Sequence, residues 1–149
     1  MQSSKLTQTL SFGLDIQTGS DDDLQMGCLE ARRIRNEANR LDRAGWEWDD
    51  IKSTVVDNAD HVNNTTQLIV DKALGEIETY HDNKDDGWGR PYPYIDESYP
   101  MVMNHGEGYR LFPEDDGTVR FRITATRGTH VKGELRGSPS HFDRLQTAF

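Results

Sequence analysis

The stretch Leu29 to Gly45, LEARRIRNEANRLDRAG, constrains this chain more than any other. At 3.6 residues per turn, Ala31, Ile34, Ala38 and Leu41 fall on one narrow stripe. Arg32, Arg33, Arg40 and Arg43 fall on the opposite arc, with Arg35 near the boundary. The pattern is an amphipathic helix whose far face is cationic. Ser20 with Asp23 three residues on resembles a capping box and sets the start near Asp21. Gly45 is the natural stop, with Arg43 in the last turn complementing the dipole. Cys28 reads as a small apolar residue near the core side of this helix.

The cationic arc is unusual because the chain as a whole is acidic. Its 149 residues carry a net charge of −9, and Leu, Ile, Val and Phe make up about a fifth of them. That composition borders on disorder, yet the periodic segments argue for a folded domain, or two small lobes sharing a core. Acids divide into 17 Asp and 9 Glu, bases into 12 Arg and 5 Lys. An Asp-rich, Lys-poor chain of this kind fits a halophilic, high-salt cytoplasm, where the Debye length shrinks to about 3 Å at 1 M salt. The lone Cys28 excludes an internal disulfide and a multi-cysteine zinc ribbon. No apolar run approaches a membrane span, and MQSSKLTQTL has no signal-peptide core. The expected location is cytoplasmic, with no membrane partner.

Lys5 to Ile16 alternates as a half-buried strand, with Leu6, Leu10, Phe12, Leu14 and Ile16 on one face. A short helix is expected over Asp49 to Val56 and a second firm one over Val62 to Tyr80. His81 to Gly89 reads as a loop, and the proline-rich PYPYIDESYP as an extended segment. Tyr109–Phe112 and Val119–Ala125 predict a hairpin around PEDDG, followed by a strand over His130 to Arg136. The architecture expected is α+β: a small antiparallel β-barrel interrupted by a helical insertion lobe. Residues 1–18 supply its first strand, 19–88 the helical lobe and 89–149 the remainder of the barrel. Pairing of the first strand with one beyond Arg90 is part of that expectation.

Between Gly117 and Arg136 five cations, Arg120, Arg122, Arg127, Lys132 and Arg136, face one anion, Glu134. Together with the helix arginines they are the candidate nucleic-acid contacts, since guanidinium pairs with phosphate bidentately. Trp46, Trp48 and Tyr92 are candidate stacking aromatics. The competing reading is that the arginines pair with neighbouring surface carboxylates. Catalytic signals are weak. Asp49/Asp50, Asp85/Asp86 and Asp115/Asp116 are adjacent and diverge, and the five His residues lack metal-ligand spacing. No nucleophile motif or phosphate-cradling glycine loop is present.

The run RRIRNEANRLDRAGWEWDDI, the helix HVNNTTQLIVDKALGEIETYH and the segment YPMVMNHGEGYRLFPEDDGTVRFRIT…GTHVKGELRG resemble, in this order, the N-terminal part of TnpB proteins. These transposon-encoded RNA-guided endonucleases were formerly called OrfB transposases, and this version resembles haloarchaeal ones. The similarity spans roughly Leu6 to Arg136. It implies a wedge-like barrel interrupted by a recognition lobe, binding guide RNA and target DNA. The family continues into a RuvC-like nuclease with acidic metal ligands and a four-cysteine zinc ribbon, neither of which occurs in this sequence. The resemblance therefore implies a truncated, non-catalytic module with no cofactor of its own. Divalent metal and zinc would belong to the missing C-terminal part. A C-terminal nuclease half or an intact relative would be a partner. The alternative is a free-standing mobile-element or viral protein acting by protein–protein contact, and a small hydrolase is a distant third.

Overall fold

The computed structural model describes residues 9–85 and 101–147. Strand β1 covers Gly13–Thr18, and helix α1 follows directly over Asp21–Arg43. The capping box forms as the sequence predicts. The Ser20 hydroxyl accepts from the Asp23 N–H at 3.3 Å, and the Asp23 carboxylate accepts from the Ser20 N–H at 3.1 Å. Three aspartates in the first turn, with Arg40 and Arg43 in the last, complement the helix dipole at both ends. Gly45, at φ +88°, turns the chain away.

Helix α2 spans Trp48–Asn58 and α3 spans Asn63–Asp85. Helix α3 runs past Tyr80 into a stretch expected to be loop. Its HDNKD sequence holds neither Gly nor Pro, so nothing local ends the helix there. The stripe of α1 interlocks with Ile51 and Val55 of α2 and with Ile69, Val70, Ala73, Leu74 and Ile77 of α3 in one buried cluster. Arg35 is a correction. Expected at the boundary of the polar arc, it is fully buried and ion-paired with Glu76 of α3.

Strands β2 (Tyr109–Pro113), β3 (Val119–Thr126) and β4 (Thr129–Arg136) form an antiparallel sheet with β1, in the order β1-β4-β3-β2. The long-range pairing expected from sequence is present, with Leu14 opposite Leu135 and Asp15 opposite Glu134. Two features differ from expectation. Residues 9–12 are not strand, because β4 ends at Arg136 and the chain then leaves the sheet. Phe12 packs on Phe142 instead, with ring centroids 5.2 Å apart. Phe142 belongs to a helix the sequence reading missed, α4 over Pro139–Gln146, capped by Ser138 and started by Pro139. Lys5 to Gln8 and the proline-rich segment lie outside the described residues.

The second difference is closure. Among the described residues the sheet is open, with β1 and β2 as its two edges, not a closed barrel. Its inner face carries Ile16, Leu111, Phe121, Ile123, Val131 and Leu135, and Leu24 of α1 packs against them. The helix covers the apolar face that barrel closure would have buried. Close approach depends on Gly27, where a Cβ would stand 2.5 Å from the Ala125 carbonyl oxygen. Helix α1 thus packs on α2 and α3 and on β3. No helix among the described residues is long and apolar enough to cross a membrane.

Candidate nucleic-acid interface

Side chains alternate along a strand, so the residues that point away from α1 are fixed by those that point towards it. With Leu111, Phe121 and Val131 inward, Arg110 and Phe112 of β2, Arg120, Arg122 and Thr124 of β3, and His130, Lys132 and Glu134 of β4 point outward. The register then sets them in rows across the sheet. In one row Arg110 stands opposite Arg122, and Arg122 opposite Lys132, with Thr18 beyond. In the next row Phe112 stands opposite Arg120, Arg120 opposite Glu134, and Glu134 opposite Asp15.

These two rows differ in energy. Arg120 has a carboxylate across from it; Arg122 has a cation on each side. Like charges directly opposite are destabilising, by ~1 kcal/mol per pair in water-like surroundings and more where solvent is thin. The Arg122 Nε is shielded from solvent and has no hydrogen-bond partner among the described residues. A groove of about 320 Å³ opens beside this residue, lined by Phe112, Glu114, Arg120, Phe121, Arg122 and Lys132. An anion seated there would meet several donors and relieve the repulsion between them.

Other expected contacts are differently engaged. Arg136 pairs with Asp15 at 3.2 Å. Arg33 donates to Glu30 at 2.5 and 2.8 Å, and also to the Asn58 carbonyl at 3.2 Å. Arg40 donates to Glu37 at 2.7 and 3.0 Å. Hydrogen bonding from Arg40 holds the Glu37 carboxyl below the usual carboxylate range. For Glu30, burial pushes the pKa up, but the bonds from Arg33 and from the Asp60 N–H outweigh it and the pKa falls. Arg32 is half-buried and Arg43 exposed. Trp46 and Trp48 are both exposed, while Tyr92 lies outside the described residues.

Arg127 is a latch. Its Nε donates to the His61 carbonyl at 2.8 Å, and its Nη2 donates to Asn63 Oδ1 at 2.7 Å. Its backbone N–H donates to the Asp60 carbonyl at 2.7 Å, tying the β3–β4 turn to the start of α3. His61 is fully buried beneath this latch, with Nε2 2.8 Å from the Gly27 carbonyl. A carbonyl only accepts, so Nε2 carries the proton. Burial pushes the His61 pKa down, against weaker upward pulls from the Gly27 bond, Glu30 and Asp60.

The helix arginines and the sheet cations do not form one patch. The sheet cations project from the face opposite to the one α1 covers. Two residues of the outer face escaped the sequence reading, Arg110 and Phe112. Both lie before the cation-rich stretch Gly117 to Arg136, and only the β2–β3 register brings Arg110 beside Arg122. Among the described residues no group of three or more His, Cys, Asp or Glu side chains is placed to hold a metal ion. Cys28 is free and half-buried. Comparison with known proteins finds no matching family model, no matching curated protein and no matching solved structure.

Proposed function

We propose that this chain is a non-catalytic nucleic-acid-binding module that grips its ligand on the outer face of the sheet. The observation that carries this reading is the row Arg110, Arg122 and Lys132, three cations held side by side in a chain of net charge −9. Such a row costs folding energy, and among the described residues its side chains gain in return only the bond from Arg110 Nε to the Gly106 carbonyl at 3.1 Å. A phosphate backbone supplies what it lacks. The resemblance to TnpB front modules is consistent with this reading and extends it. In that frame the sheet with its helices is a wedge-like domain carrying a recognition lobe, and guide RNA and target DNA are the ligands.

Fluorescence anisotropy with a labelled structured RNA across a KCl series tests the proposal. Affinity falls log-linearly with salt, and Arg122→Ala flattens the slope by about 1. A folded protein that binds neither RNA nor DNA at low salt removes this reading. It would promote contact with another protein, which the exposed Met26 and Leu29 of α1 favour.

A further inference from the structure

We infer that the outer face takes a single-stranded nucleic acid, with a phosphate on the Arg110–Arg122–Lys132 row and an unstacked base on the ring of Phe112. The inference rests on the proposed nucleic-acid binding and specifies its substrate. Phe112 points outward from the edge strand β2, 41% exposed, and stands outside both buried clusters. It lies two residues from Arg110 on the same face, about 7 Å along the strand. That separation is on the order of the reach from a phosphate to its own base. The groove beside Arg122 is lined by Phe112 together with Arg120 and Lys132, and by Glu114, so ring and cations border one space with a single carboxylate among them.

Charge around this strip decides between a single strand and a duplex. Glu114, Asp115 and Asp116 stand in the turn at one end of the hairpin, and Asp15 and Glu134 share the row beside the cations. The cationic row crosses only three strands, about 10 Å at ~4.8 Å per strand. A duplex laid over the face would bring its second phosphate backbone against those carboxylates. A single strand confined to the strip keeps clear of Asp115 and Asp116, while Glu114 is the one acidic side chain lining its groove. Its bases are also the ones free to stack, since a duplex keeps its bases inside. An exposed phenyl ring offers nothing to a paired backbone.

The experiment uses the full chain with three labelled probes: a single-stranded RNA oligonucleotide, a single-stranded DNA of the same sequence, and an RNA hairpin duplex. Either single strand should bind several-fold more tightly than the hairpin. Phe112→Ala should weaken single-strand binding about tenfold, in line with one stacked base. The salt slope should stay unchanged, because no charge is lost. Phe112→Leu, which keeps apolar bulk for folding, should show the same loss, and Phe112→Tyr should restore binding. Tighter binding of the hairpin than of both single strands overturns the inference. So does unchanged single-strand affinity in Phe112→Leu with a wild-type circular dichroism spectrum. If Arg122→Ala still flattens the slope in either case, nucleic-acid binding stands and only the single-strand assignment falls. Failure to bind all three probes removes both.

Discussion

Helix α1 and the outer face of the sheet are the two arginine-rich surfaces of this protein, and they treat arginine in opposite ways. On α1, residues three apart are neighbours, and the sequence places Glu30 before Arg33 and Glu37 before Arg40. A third arginine, Arg35, points inward and meets Glu76 across the helix interface. On the sheet, neighbours come from different strands, and the register sets Arg110, Arg122 and Lys132 side by side. Cation count alone does not separate a binding surface from a structural one. On the proposed reading, what separates them is whether the fold delivers a carboxylate to each cation. The helix does so for Arg33, Arg35 and Arg40, and the central row of the sheet does not.

The largest effect should come from the helix side of this comparison. Glu76→Ala leaves the buried Arg35 guanidinium without its carboxylate. We expect a loss of ~3 kcal/mol, at the low end for breaking a buried pair because Glu76 itself is partly exposed. Arg35→Met, which removes the charge and keeps much of the volume, should cost less. Urea unfolding of both variants checks the order. If Arg35→Met proves the worse of the two, the pair is not what holds this position.

The sheet should respond in the reverse sense. Arg122→Ala should lower nucleic-acid affinity about tenfold. Thermal stability should stay level or rise slightly, because two like-charge contacts disappear. A variant that loses stability without losing affinity would make Arg122 structural, like Arg35, and erase the contrast.

A third effect concerns the joint between helix and sheet. His61 has a folded-state pKa below its ordinary 6.5, so the unfolded chain binds the proton more readily. Its contribution is present above pH 6.5 and is lost as pH falls below that value, by at most ~1.4 kcal/mol per pH unit. Glu30 and Arg33 beside the ring stay charged across this window, because their mutual bond holds the carboxyl low and the guanidinium high. His61→Gln should flatten stability between pH 6.5 and 5.5. An unchanged slope in that variant would move the acid sensitivity elsewhere.

Local signals were legible in the sequence, and non-local ones only in part. The Ser20–Asp23 capping box, the Ala31–Leu41 stripe and the β2–β3 hairpin follow from spacing alone, and all three form. Pairing of β1 with β4 was also legible, because a one-sided strand needs a backbone partner and the intervening helices offer none. Barrel closure was not, since the apolar inner face states that it must be covered without stating by what. Gly27 held the clue, as a gap in a helix that α1 uses to lie against Ala125. Arg35 misled for a similar reason. A wheel places it at the boundary, and only the approach of α3 with Glu76 turns that boundary into core. The cationic row was half legible: Arg120, Arg122 and Lys132 could be counted, but their partners depend on register, which separates Arg120 from Arg122 and adds Arg110.

The smallest expected effect makes the sharpest test of the contrast. Arg40 and Glu37 are an exposed pair three residues apart on α1, and such pairs couple by about 0.3–0.5 kcal/mol. A double-mutant cycle with Arg40→Ala and Glu37→Ala should return a coupling of that size at pH 7. The Glu37 carboxyl is held below its ordinary 4.5 by Arg40. Its share is therefore present above that value and disappears as pH falls through the depressed one. Against labelled RNA, Arg40→Ala should leave the salt slope where it was, because an arginine already bidentate to a carboxylate releases no counterion when phosphate arrives. Glu37→Ala removes this carboxylate and keeps the guanidinium, and should leave binding level or slightly tighter. A slope that drops by about 1 in Arg40→Ala would mean that RNA displaces Glu37 from Arg40. The helix would then be a second half of the interface, and the division between structural and binding arginines would run through α1 itself.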